Sequence, residues 1–166
     1  HLSIRRQRQM CIRDRALGPI EVFHSAGQLW NLLKGGQPAP LFRITTASVD
    51  GGSVTSPYGV GFSPQVSIDN IAHTDLIIVP SLGLDLDAQL DRHAKLLPWL
   101  EQWHKNGAYI AGICTGTAYL AEAGLLNGRR ATTHWAMAEA YAARYPKVKW
   151  QPDLFCLLYT SPSPRD

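Results

Sequence analysis

The sequence predicts a doubly wound α/β sandwich, and three observations carry that prediction. Two short, continuous apolar runs, Asp75-Leu76-Ile77-Ile78-Val79-Pro80 and Ala108 to Ile113, suit strands buried on both faces of a parallel sheet. Helical periodicity separates and follows them, so strand and helix alternate along the chain. The chain has 166 residues, 45% hydrophobic and 17% charged. That length lets one compact domain bury about 70% of the surface its unfolded form exposes.

The elements follow in order. From Gly18 to Leu33 the residues Val22, Phe23, Ala26, Leu29, Trp30 and Leu33 recur at three- and four-residue steps. That spacing predicts an amphipathic helix, with Pro19 in its first turn and Gly35-Gly36 closing it. Leu41 to Val49 is rich in β-branched residues and reads as a strand. Asp50-Gly51-Gly52 signals a turn, and Val54 to Ile68 reads as a hairpin or two short strands. After the first apolar run a helical stretch extends to about His104, placing Leu90, Ala94, Leu97, Leu100 and Trp103 on one side. Pro98 favours a restart over one straight helix. Gly107 ends it before the second apolar run. Thr115 to Ala123 is helical up to Gly124, Arg130 to Thr133 is a brief strand, and Trp135 to Tyr145 is a helix stopped by Pro146. Val148 to Trp150 begins another strand.

Composition excludes several classes. The apolar content is too high for wholesale disorder, and no apolar string is long enough to span a bilayer. No opening segment joins a basic start, an apolar stretch and a small-residue cleavage site. The expectation is a soluble, cytoplasmic domain with no membrane partner. The sequence pI near 8.9 belongs to one arm: residues 1–15 carry five arginines against Asp14. Their +4 exceeds the whole chain's +3, and Arg165 and Asp166 cancel, which leaves residues 16–155 at −1. A phosphate-binding footprint on the folded surface is therefore discounted.

Both ends lack any periodicity that would let them pack. Residues 1–15 and 156–166 are read as non-native or disordered ends, similar to translated adapter sequence, and residues 16–155 as an incomplete domain. Of Cys11, Cys114 and Cys156, only Cys114 lies in that interior. No disulfide framework is possible there, and a reducing compartment is expected.

Gly112-Ile113-Cys114-Thr115-Gly116 is the most informative string. It closes one predicted strand and opens a helix, with the spacing of a nucleophile elbow carrying sulfur in place of oxygen. Flanking glycines relieve clashes in so sharp a turn. A following helix N-terminus favours thiolate over thiol, and the Thr115 N–H is a candidate oxyanion donor. The competing reading is a small apolar residue filling a strand–helix corner. His134, in Ala131-Thr132-Thr133-His134-Trp135, falls at the end of the next predicted strand. Strand ends of a parallel sheet line one crevice, so it can face Cys114 as a base. It can equally cap the helix beginning at Trp135. His24, His73, His93 and His104 show no metal-ligand spacing, so no metal is expected. Gly59-Val60-Gly61 lacks the third glycine of a dinucleotide loop and reads as a turn; no Walker-type loop is present and no cofactor is expected. Trp99, Trp103 and Trp135 read as core or rim.

These residues carry a resemblance. Ala111 to Gly116, followed by Leu120 to Trp135, is similar to the PfpI superfamily of class I glutamine-amidotransferase-like domains. The likeness is greatest to the N-terminal sensor half of AraC-type transcription regulators. Gly18 to Phe23 resembles their first helix and Asp75 to Pro80 their central strand. Arg144-Tyr145-Pro146, with Val148 and Pro152-Asp153, also resembles the regulator branch.

The resemblance implies a flavodoxin-like, mostly parallel sheet with helices on both faces, truncated here at both ends. It implies that Cys114 is the elbow cysteine and His134 the facing histidine. It also implies that Leu82 and Thr115 supply the oxyanion-type backbone donors, and that Ser81, Gly116 and Trp135 line the pocket. The family usually has Gly-Gly where this chain has Ser81-Leu82, and the acidic partner position of its enzymes falls on Arg15.

The function this implies is ligand sensing in an AraC-type regulator. The partners would be a small molecule, a second copy of the chain, and DNA only through a C-terminal helix-turn-helix region not in this sequence. One alternative is a stand-alone isonitrile-hydratase-like or amidase-like enzyme with Cys114 as nucleophile. Another is a thiol-based redox or carbonyl-stress sensor.

Overall fold

A computed structural model of the chain describes residues 16–55, 61–81, 83 and 85–154. Compactness divides the chain into two units, residues 1–69 and 70–166.

In the first unit, helix α1 (residues 16–25) and helix α2 (Leu29–Leu33) replace the single helix expected from Gly18 to Leu33. The break falls at Ala26-Gly27-Gln28. Gly27 has φ +74°, and a Cβ there would lie 2.1 Å from the Ala39 carbonyl oxygen. Ala39 N–H donates to Gly27 O and Leu41 N–H to Ala26 O, so the returning chain uses carbonyls that a continuous helix would need. The break also rotates the apolar stripe. Val22, Leu29, Trp30 and Leu33 are exposed rather than buried, while Phe23 packs edge-on to Phe42 at 4.9 Å.

The strand expected over Leu41 to Val49 shrinks to β1 (Ala47–Ser48). No described strand pairs with residues 41–45, and Leu41 and Phe42 stay exposed; an unpaired segment has no ladder to hold it extended. The hairpin expectation holds in part. Strand β2 (Val54–Thr55) pairs antiparallel with β3 (Gly61–Phe62), and β4 (Val66–Ser67) runs parallel to β1. Gly61 is thus a strand residue; Gly59 and Val60 lie outside the described residues.

In the second unit, strand β5 (Leu76–Val79) pairs in parallel with β6 (Tyr109–Gly112), from Leu76 opposite Tyr109 to Val79 opposite Gly112. Between them run α3 (Leu86–Arg92) and α4 (Leu96–Lys105). The Asp85 carboxylate caps α3 by accepting from Ala88 N–H at 3.2 Å. The restart lies at residues 93–95, which leaves Pro98 in the first turn of α4, where its missing N–H costs nothing. After β6 come α5 (Thr117–Glu122), β7 (Arg130–Ala131), α6 (Ala138–Arg144) and β8 (Lys149–Trp150), the last pairing in parallel with β7. The helix expected over Trp135 to Tyr145 opens as a 3-10 turn, Trp135–Met137.

The core belongs to this unit. Leu100 of α4, Ala118 and Tyr119 of α5, Val79 of β5 and Tyr141 of α6 are buried together. Tyr141, Tyr145 and Trp150 meet with ring centroids 5.6–6.5 Å apart, seating α6 on β8. Leu100 is 0% exposed and Leu33 71%. In urea melts, Leu100→Ala is therefore expected to cost about 2–5 kcal/mol, and Leu33→Ala less than about 0.5 kcal/mol.

Candidate functional site

The β5–β6 register builds the site. Ile113 N–H continues the ladder onto Val79 O at 2.9 Å. The chain then turns at Cys114, the only non-glycine with positive φ (55°) among the described residues. An L-residue is strained there by about 1–2 kcal/mol. A 3-10 turn over Cys114–Gly116 leads into α5. The flanking glycines are required by close approach. A Cβ on Gly112 would sit 2.8 Å from Thr117 Cα, and one on Gly116 2.3 Å from Pro80 O. Strand β6, the left-handed Cys114 and helix α5 thus follow one another through a single tight turn.

Hydroxyls surround the turn. Thr117 Oγ1 donates to the Cys114 carbonyl at 2.8 Å, and Thr133 Oγ1 donates to the same oxygen at 3.1 Å. Ser81 Oγ and Thr115 Oγ1 are 2.8 Å apart, and Tyr141 O–H donates to Thr115 O at 3.2 Å. Thr115 is 2% exposed and Cys114 half-buried. Burial pushes the Tyr141 phenol up to about 12, and the Cys114 charge adds to the rise.

Of the residues expected from sequence, Cys114, Thr115, Gly116 and Ser81 converge here: Gly116 packs on the Pro80 carbonyl, one residue before Ser81. Thr133 ties the residue preceding His134 to the elbow. The His134 ring itself caps the following turn, its Nδ1 accepting from Ala136 N–H at 3.2 Å. Trp135 stacks on that ring at 5.4 Å and is 70% exposed. Leu82 lies outside the described residues, as does Arg15. Thr117, Thr133 and Tyr141 were not singled out as functional by sequence reasoning. Thr117 and Thr133 sit within or beside the motif strings; Tyr141 carries no local signal.

A family model described as the DJ-1/PfpI family matches residues 20–157. The chain belongs to the DJ-1/PfpI family. It is 36% identical over 117 residues to the HTH-type transcriptional regulator CdhR of Pseudomonas aeruginosa, covering 70% of this chain and 34% of that protein. It is 34% identical over 83 residues to an isonitrile hydratase of Pseudomonas putida, covering 50% of this chain and 36% of that one. The chain spans about a third of the length of the curated regulators it matches. Among solved structures, an AraC family transcriptional regulator from Pseudomonas putida superposes with TM-score 0.60 at 23% identity. That match covers 86% of this chain and 70% of the other. The fold is accordingly the family's flavodoxin-like α/β arrangement.

Among the described residues no group of three or more His, Cys, Asp or Glu clusters as metal ligands do. No helix described is long and apolar enough to cross a membrane.

Two outcomes follow for this DJ-1/PfpI chain. Gly116→Ala forces a Cβ against a backbone oxygen and is expected to lower the unfolding free energy read from urea melts by about 1–3 kcal/mol or more. The folded chain holds the Tyr141 proton more tightly than the unfolded chain does. Its contribution is therefore whole below pH 10 and falls as pH rises toward 12. Urea melts from pH 9 to 12 are expected to show that loss, with a shallower slope in Tyr141→Phe.

Proposed function

We propose that residues 16–155 form the ligand-sensing domain of an AraC-type transcription regulator, with residues 1–15 and 156–166 outside that domain. The observation that carries this reading is the alignment with CdhR. Identity of 36% runs through 70% of this chain yet spans 34% of that regulator, the proportion of a sensor part to a longer, two-part protein.

The site's chemistry supports sensing over turnover. His134 Nδ1 accepts from Ala136 N–H, so in the neutral ring the proton resides on Nε2. A ring nitrogen that donates suits binding of an acceptor group; a general base needs an acceptor instead. The expected ligand is a small molecule bearing an acceptor oxygen, held by the Thr115 N–H and the His134 ring. Such a ligand controls transcription by favouring one arrangement of a cytoplasmic homodimer over another. DNA is then contacted by a helix-turn-helix part beyond these residues, and no membrane takes part.

The second reading, a cysteine-dependent hydratase, draws on the 34% identity to isonitrile hydratase. There the Cys114 thiolate attacks an electrophilic carbon, and the Leu82 and Thr115 N–H groups stabilise the developing negative charge.

The source reading frame tests the choice. Two helix-turn-helix units downstream are the expected result. A stop soon after the sheet closes, with an acid where Arg15 stands, would favour the hydratase. Purified protein offers a second check. No isonitrile turnover is expected; turnover that vanishes in Cys114→Ala would overturn the sensing role.

A further inference from the structure

The carbonyl of Cys114 receives two hydroxyl donors from opposite sides in sequence, Thr117 at 2.8 Å and Thr133 at 3.1 Å. One comes from the start of α5, the other from the segment that follows β7. In a trans peptide the carbonyl and the next N–H point in opposite directions within one rigid plane. Gripping the Cys114 oxygen therefore sets the direction of the Thr115 N–H as well. It also limits rotation about the backbone of Cys114, the residue held at φ +55°. On the far side of Thr115, its own carbonyl accepts from Tyr141 and its hydroxyl meets Ser81, so the neighbouring peptide is held too.

We propose that Thr133 is a positioning residue for the Cys114 site: its hydroxyl, with that of Thr117, locks the Cys114–Thr115 peptide in one orientation. In doing so it keeps the thiol and the Thr115 N–H in fixed relation and ties the His134 segment to the elbow. Thr133 acts only through that peptide and has no contact with ligand. The inference rests on the reading of the elbow as the binding site, but its test does not depend on the ligand or on the reading frame.

The test is the rate of Cys114 alkylation by iodoacetamide on the full chain from pH 6 to 10. Mass spectrometry of the Cys114 peptide keeps Cys11 and Cys156 out of the signal. Over that range Tyr141, the phenol coupled electrostatically to Cys114, stays protonated, its value being about 12; His134, a further titratable group, follows Thr133 directly in sequence. Thr133→Ala and Thr133→Val remove the hydroxyl, and Thr133→Ser keeps it.

The expected result is a fall of about three- to tenfold in the pH 7 rate for Ala and Val, the range commanded by one hydrogen bond of ordinary net strength. The midpoint of the profile is expected to rise, and Thr133→Ser to restore the rate to within about twofold. Either hydroxyl-free variant suffices if the other does not fold. A lowered melting temperature with an unchanged pH profile would overturn the proposal, since that is what a merely structural role predicts. So would a serine variant as slow as alanine, or a wild-type Cys114 unreactive at every pH. A hydratase-type reading frame with the expected alkylation pattern would sink the sensing role and leave this inference standing.

Discussion

The turn from β6 into α5 places a residue with a Cβ, Cys114, in the left-handed region, and the contacts around the turn hold it there. Cys114 sits at φ +55°, a conformation disfavoured by the clash of Cβ with the backbone. Strain of this kind persists only where surrounding contacts over-determine the backbone. The ladder bond from Ile113 to Val79 fixes the chain just before the turn, and the approach of Gly116 to the Pro80 carbonyl fixes it just after. A Cβ on Gly112 would press on Thr117 of α5 and one on Gly116 on the Pro80 carbonyl, so either substitution would force the turn open. The two threonine hydroxyls on the Cys114 carbonyl then hold the strained peptide itself.

The same constraint explains where the polar groups of the core lie. Tyr141 reaches from α6 to the Thr115 carbonyl, so α6 is joined to the elbow by a hydrogen bond as well as by packing. Nearby, the Glu122 carboxylate at the end of α5 accepts from Tyr145 O–H at 2.6 Å and Arg144 Nε at 3.3 Å. Arg144 also pairs with Asp87 of α3. The Asp87 bond holds the guanidinium well above its ordinary value; burial first, and Glu122 second, does the same for the Tyr145 phenol. The Arg144–Asp87 pair is exposed and contributes little to stability. With the Glu122 contact it joins the C-terminal part of α6 to α3 and α5. Through Tyr141, α6, an element with no residue in the motif, therefore helps hold the turn.

His134 shows how a hydrogen bond outside the reacting atoms decides chemical character. A histidine near a thiol can act as base, donor or cap, depending on which nitrogen is engaged. Here Ala136 N–H takes Nδ1, which turns the ring's other nitrogen into a donor. A ring in that state can donate to an acceptor group but cannot take up a proton at the same nitrogen.

Sequence alone determined the alternation of strand and helix, the two parallel core strands, and the elbow at Cys114 with glycines on both sides. Each of these follows from local demands: short apolar runs suited to strands, and a turn too tight for Cβ atoms beside it; burial of the strands on both faces did not follow, since Leu76 and Tyr109 stay exposed. Tertiary structure decided the rest. The helix expected from Gly18 to Leu33 breaks at Gly27 because Ala39 and Leu41 claim its carbonyls. Residues 41–45 form no strand because no described strand pairs with them. Thr133 and Tyr141 were not legible, since their partners lie on other elements; for His134 the sequence left base and cap both open, and the turn actually formed makes it a cap. A hydroxyl 19 residues from the carbonyl it grips, or a phenol 26 residues from its acceptor, is placed by the packing of strands and helices, which no local pattern of residues encodes.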